Sequence, residues 1–242
     1  MIYWMVSFAW MGFLAILTIL LLPIVPYKQS HGWVAAPGFV MCVWMSLSRL
    51  KITYDPHFNR KRISVFCQNH VNLLDAHVAS AAIPHTFCGL MNAWQFHIPF
   101  YGWLMRLSKG IPVDRKSSIP VLVQITEAAK NRIIEGFSIL TFPESHRTRD
   151  GKVQKFRRGV FLMARDAGYP VVPIAVRGSF EVNQKGSFLF RPGKIEVYVG
   201  AQLETKGLSD QEIGKLAGKT QKIISDFVEN RTLPSEKEFI AA

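Results

Sequence analysis

A histidine and an aspartate five positions apart, His70 and Asp75, are the pair in this chain whose types fit general-base chemistry. An imidazole of ordinary basicity takes a proton near neutral pH, and a carboxylate holds it in the right tautomer. The spacing limits how the two can meet. On one continuous helix, positions five apart differ by about 140° and face apart. The pair works only if His70 precedes a helix and Asp75 lies in its first turn. The flanking residues predict that arrangement. Residues 63–67 form a short apolar run that reads as a buried strand, and the alanine-rich stretch 76–83 reads as a helix stopped by Pro84. Asn72 as N-cap would put Asp75 at the third helical position. The same residues admit a plainer reading, with Asp75 complementing the helix dipole and His70 a hydrogen-bonded turn residue.

Three further stretches fall at predicted strand ends, where open α/β sheets place their ligands. They are 110–115, ending at Arg115; Phe142-Pro143-Glu144-Ser145-His146-Arg147; and the unbroken apolar run 171–176. Arg115 and Arg147 each offer a planar, permanently charged fork that suits a phosphate. From Arg147 to Arg158 there are six basic residues against one acid, so the second loop is strongly positive. Each feature also has an ordinary reading. Arg115 can pair with Asp114, Glu144 can cap a turn, and the basic run can be a solvated surface.

The elements that must hold these loops alternate. After the strand at 63–68 and the helix at 73–83 come a strand near 86–91 and a helix over 119–135. A strand at 138–142, a helix at 156–167, strands at 171–176 and 195–199, and a last helix to about Val228 follow. That helix is opened by the capping box Ser209-Asp210-Gln211-Glu212. The order predicts an α/β class with a mixed, mostly parallel central sheet flanked by helices.

Ahead of this body the chain changes character. Residues 1–48 hold a single charged side chain, Lys28, so the rest carries nearly all of the net +12. Residues 1–26 as a helix would span about 39 Å, enough for a hydrocarbon core of about 30 Å. With no basic leader and no small-residue cleavage site, they do not read as a signal peptide. Pro23, Pro26 and Gly32 predict a helix-breaking link, and the uncharged run 33–48 predicts a second helix of about 24 Å. Tyr3, Trp4 or Trp10, with Trp33 and Trp44, are candidate interfacial anchors. We therefore expect an N-terminal apolar helical hairpin in the membrane over 1–50, spanning thinly or re-entrant, and an α/β domain over 51–242. Arg49, Lys51, Arg60, Lys61 and Arg62 place that domain on the cytoplasmic side of the cell (inner) membrane by the positive-inside rule. Cys42, Cys67 and Cys88 are odd in number and without metal spacing, which fits a reducing compartment and core packing.

Taken in order, His70-x4-Asp75, the block Ile98-Pro99-Phe100-Tyr101-Gly102, Gly110 to Arg115, Phe142-Pro143-Glu144 with Arg147, and 171–176 resemble the glycerolipid acyltransferase superfamily with its HxxxxD motif. The likeness covers roughly residues 60 to 180 and is nearest to the 1-acyl-glycerol-3-phosphate (lysophosphatidic acid) acyltransferases. It implies transfer of a fatty acyl group from acyl-CoA or acyl carrier protein to the sn-2 hydroxyl of the lysolipid. The product is phosphatidic acid, for phospholipid biosynthesis at the bilayer. It also implies His70 as general base with Asp75 as its partner, Arg115 and Arg147 on the acceptor phosphate, and Glu144 on the glycerol portion. Asn69, Gly110 and His146 are secondary candidates. No cofactor beyond the acyl donor and no metal is expected. One departure stands out: the family block usually reads Phe-Pro-Glu-Gly-Thr-Arg-Ser, whereas this chain has Ser145-His146 and Thr148. That leaves another lysolipid, or glycerol-3-phosphate itself, open as acceptor. A non-catalytic membrane protein that binds anionic lipid is the rival from another class. A nucleic-acid partner is not expected, because the basic residues are not interleaved with aromatics.

Overall fold

The computed structural model describes residues 2–233; Met1 and residues 234–242, which the expected hairpin and domain include, lie outside the described residues. The hairpin consists of α1 (Ile2–Leu21), α2 (Tyr27–Ser30), a π-helical turn (His31–Ala35) and α3 (Ala36–Met45). The body contains β1 (Arg49–Tyr54), β2 (Val65–Gln68), α4 (Asp75–Ala82), β3 (Phe87–Asn92), a 3₁₀ turn (Ala93–His97), α5 (Tyr101–Leu107), β4 (Ile111–Val113) and α6 (Val121–Ile134). It continues through β5 (Ser138–Thr141), α7 (Gly159–Ala167), β6 (Val171–Arg177), α8 (Ser179–Val182), β7 (Lys194–Val199) and α9 (Asp210–Asn230).

The strands form one seven-stranded sheet in the order β1-β7-β6-β2-β5-β3-β4, parallel everywhere except between β6 and β7. This is the mixed, mostly parallel sheet the sequence predicts. Central strands β2, β5 and β6 are buried on both faces, which is why they read as continuous apolar runs. Alternate residues serve two cores. Val65 and Cys67 point to the side covered by α6, α7 and α9, while Phe66 points to α4 and α3. The three cysteines are free and buried, and burial pushes the thiols of Cys67 and Cys88 up, so they pack as small hydrophobes. Pro173 sits within β6 without breaking it: its β7-side neighbour, Gly200, lies past the end of the β6–β7 ladder. The capping box at Ser209 and Glu212 is formed, opening α9.

Two expectations need correction here. The helix-breaking link is shorter than expected: α1 stops at Leu21 and the break covers 22–26, but helix resumes at Tyr27, because Pro26 stands at the N-cap, where a missing N–H costs nothing. The π turn then shifts the hydrogen-bond register just ahead of Pro37, so a proline is carried inside a helix. Residues 49–54 are the edge strand β1 rather than a basic flank. Lys51 and Thr53 face outwards while Leu50 and Ile52 lean on the core, so charge masks the period of two. The hairpin packs against the domain: α3 lies on α4, and α1 lies on α3 and α5. Tyr3 Oη donates to the Cys42 carbonyl, and Trp10 Nε1 to that of Gly38. These two rings tie helices together, whereas Trp33 and Trp44 are exposed. Among the described residues, α1 is the one helix long and apolar enough to cross a membrane.

Candidate active site

The parallel pairing of β2 with β5 decides which loops meet. Cys67 is level with Thr141, and the same register carried past both strand ends sets His70 opposite Glu144. There the His70 N–H donates to Glu144 Oε1 at 2.7 Å, and the Gln154 N–H donates to Oε2 at 2.8 Å. Thr148 N–H closes the loop by donating to the His70 carbonyl at 2.8 Å. On the other side, Asn69 behaves as an extra rung of the sheet. Its amide accepts from Val176 N–H at 2.7 Å and donates to the Val176 carbonyl at 2.9 Å.

Within this bracket His70 Nδ1 lies 2.7 Å from Asp75 Oδ2. The same oxygen accepts the N–H of Val71 at 2.6 Å and of Asn72 at 3.1 Å. Asp75 is buried, and the imidazole stacks on Phe142 with ring centroids 4.1 Å apart. With one edge bonded and one face covered, 24% of the His70 side chain remains exposed. Asn72 is not the helix cap. Its Oδ1 accepts from Leu74 N–H in an Asx turn, and its Nδ2 donates to the carbonyls of Ser179 and Asn183. Asp75 is therefore the first residue of α4, not the third, and its carboxylate reaches back over the turn to the imidazole.

Glu144 faces inward, buried, and burial pushes its carboxyl up to about 7 although two amides favour its charged form. Arg147 follows in the same loop, half-buried. Its carbonyl accepts from Lys185 Nζ at 3.3 Å, and no carboxylate among the described residues lies within ion-pair distance of its guanidinium. His146 is exposed beside it. Ser145 has φ of +65°, the left-handed region that favours glycine. Arg115 follows β4 at the same end of the sheet. However, three inter-strand steps of about 4.8 Å set β4 about 14 Å from β2. It makes no ion pair with Asp114, whose carboxylate accepts from Lys116 N–H. Gly110 has a packing reason: a Cβ there would meet the Met105 carbonyl and the Phe96 ring. The structure thus joins His70, Asp75 and Glu144 in one hydrogen-bonded unit, pins the adjacent Asn69 to β6, and leaves Arg115, Arg147 and His146 outside it. Sequence reasoning gave no role to Phe142 or Gln154, and gave Asn72 the wrong one. Of the first two only Phe142 had a signal, as the first residue of the 142–147 stretch.

A family model described as acyltransferase matches residues 49–177, which hold the whole hydrogen-bonded unit, and this chain belongs to that family and is an acyltransferase. Among curated relatives, the 1-acyl-sn-glycerol-3-phosphate acyltransferase of Pseudomonas aeruginosa is 24% identical over 87% of this chain and 82% of its own length. The protein of that name from Limnanthes douglasii is 26% identical over 82% of this chain and 68% of its own. The crystal structure of the 1-acyl-sn-glycerophosphate (LPA) acyltransferase PlsC from Thermotoga maritima has the same fold. Its TM-score is 0.80, with 20% identity over 97% of this chain and 95% of that one.

Proposed function

We propose that this acyltransferase moves a fatty acyl group from a thioester, acyl-CoA or acyl carrier protein, to the sn-2 hydroxyl of 1-acyl-glycerol-3-phosphate, with His70 as general base. The observation that carries the reading is the 2.7 Å bond between His70 Nδ1 and the buried Asp75. A carboxylate at Nδ1 keeps the proton there, so Nε2 presents its lone pair to the open side. As the acceptor oxygen attacks the thioester carbonyl, Nε2 takes its proton. The tetrahedral adduct then expels the thiolate, to which the proton returns. Asp75 stabilises the transient imidazolium and does not itself protonate. The family names of the relatives support the acceptor.

Arg147, adjacent to this unit and free of carboxylates, is the proposed anchor for the acceptor phosphate, with Arg115 at longer range. Glu144 is better suited to positioning than to the glycerol portion, since backbone amides occupy both its oxygens. The hairpin is proposed to enter and leave one leaflet. A 20-residue helix is about 30 Å long. Yet Trp4, near its start, bonds the Phe188 carbonyl, and Lys28, in α2 seven residues past its end, bonds that of Glu135. A hairpin tied to the domain at both points lies along it, with the domain on the cytoplasmic side. Exposed His146 favours a second reading, an acceptor with a different headgroup. Purified protein, one acyl-CoA and a panel of lysophosphatidic acid, glycerol-3-phosphate and lysophosphatidylcholine separate these. The proposal expects the highest kcat/KM on lysophosphatidic acid, and a diester headgroup turned over faster would overturn it.

A further inference from the structure

Away from the histidine site the described surface holds a cavity of about 390 Å³ between the 3₁₀ turn, the end of α5, the start of β4 and the last turn of α6. Phe96 and Pro112 give it apolar walls; His97, Arg106, Lys109 and Arg132 give it polar ones. It lies beside the edge strand β4, three strands from β2, so it is set apart from His70 across the sheet, with about 14 Å between those two strands. Arg132 is set rather than mobile: its Nε donates to the Lys109 carbonyl at 2.8 Å, and one guanidinium nitrogen lies 3.1 Å from Glu135. Glu135 also comes within 3.9 Å of Lys109 Nζ. One acid thus offsets three permanent cations, and the remaining charge calls for an anion.

The position says which anion. Lys28 Nζ, in α2 seven residues past the end of apolar α1, donates at 3.2 Å to the carbonyl of Glu135, the acid that faces Arg132 and Lys109. Leu20, Leu22 and Ile24, at and just past the end of α1, stand exposed, and the cavity wall Phe96 packs with Met11 and Ala15 of α1. Exposed Trp94, two residues before Phe96, adds an aromatic of the kind found at headgroup level. We propose that this cavity binds the phosphate of an anionic phospholipid headgroup at the bilayer surface, separately from acyl transfer. It would fix the height and tilt at which the domain sits.

The test is co-sedimentation of the full chain with phosphatidylcholine vesicles, with and without phosphatidylglycerol. The probes are wild type, Arg106→Ala/Lys109→Ala, and the charge-matched control Lys206→Ala/Lys215→Ala on an exposed loop and α9. Basic side chains at an anionic surface each contribute about fivefold in partitioning, so the first pair is expected to lose roughly 30-fold of the phosphatidylglycerol-dependent binding. The control is expected to lose less than about threefold, and detergent-micelle turnover of the first pair is expected to stay at the wild-type level. Equal losses in both pairs would mean only general electrostatics and would overturn the site. Inorganic phosphate that displaces the protein from vesicles at matched phosphate concentration would mean a free-anion site, and would overturn the lipid assignment.

Discussion

The C-terminal end of the sheet is built to two different standards. Between β6, β2 and β5 every loop is fastened: Asn69 to Val176, His70 to Asp75 and Glu144, Gln154 to Glu144, Thr148 to His70. A few residues away, Arg147 and Arg115 carry their charge with no carboxylate partner among the described residues, and Arg115 and His146 are exposed. The contrast follows from what each half must do. A base has to hold one orientation before substrate arrives, because a misdirected imidazole forfeits proximity. A cation that meets a phosphate has to keep its charge uncommitted, since a protein carboxylate would compete for it. One half is preorganised and the other reserved.

Breaking the fastened half has the largest expected effect. His70→Ala removes the proposed base and is expected to lower kcat by roughly 10³- to 10⁴-fold, with circular dichroism unchanged. A loss under tenfold would remove His70 from the chemistry. Asp75→Asn is subtler. An amide oxygen can still accept the Val71 and Asn72 N–H groups, so the turn should survive while the Nδ1 proton loses its anionic partner. The expected fall in kcat is roughly 10²- to 10⁴-fold, with the acceptor KM little changed.

Breaking the reserved half is expected to move the other constant. Arg147→Ala deletes one charge-assisted contact, so the acceptor KM should rise roughly 10- to 100-fold while the donor KM holds. Arg115→Ala, two strands further out, should do less. Steady-state kinetics with each substrate varied in turn checks both. An equal rise in both Michaelis constants would move Arg147 to the donor side.

The fastened half was legible in outline because strand and helix periods flank it: 63–68 and 171–176 announce buried strands, and a histidine at their edge must lie in a loop. Its fastenings were not, because they depend on register. Nothing local says that Glu144 lies opposite His70; that follows from β2 pairing with β5 in parallel. Asn72 shows the limit of local rules. Its cap-like position is used for an Asx turn because its amide is drawn to carbonyls 107 and 111 positions away. Residues 49–54 show the same limit for strands, since charged side chains on the outer face of an edge strand hide it.

Glu144 links the two halves and carries a pH signature. Its carboxyl is raised from 4.5 to about 7 by burial, so the folded state holds a proton that the unfolded chain releases. Stability from this group is full below about pH 4.5 and is lost as pH rises through 7, up to about 3 kcal/mol. Glu144→Gln has no such titration. The wild type's margin in thermal midpoint over the variant should therefore shrink steadily between pH 4.5 and 7.5. A margin that widened over that range would mean the two amides outweigh burial and hold the carboxylate ionised.

The smallest expected effect sharpens the comparison most. Ser145 begins the passage from the fastened half to the reserved one, and its φ of +65° costs an L-residue about 1–2 kcal/mol. Ser145→Gly removes that cost but restores about 0.5–1 kcal/mol of unfolded-chain freedom. The net gain should be no more than about 1.5 kcal/mol, read from urea unfolding. Were packing alone responsible for the conformation, activity would follow stability or stay level. A variant that is slightly more stable yet has a higher acceptor KM would show otherwise. The strained turn would then be what aims His146 and Arg147, with conformational energy held in the backbone to keep the reserved half in place.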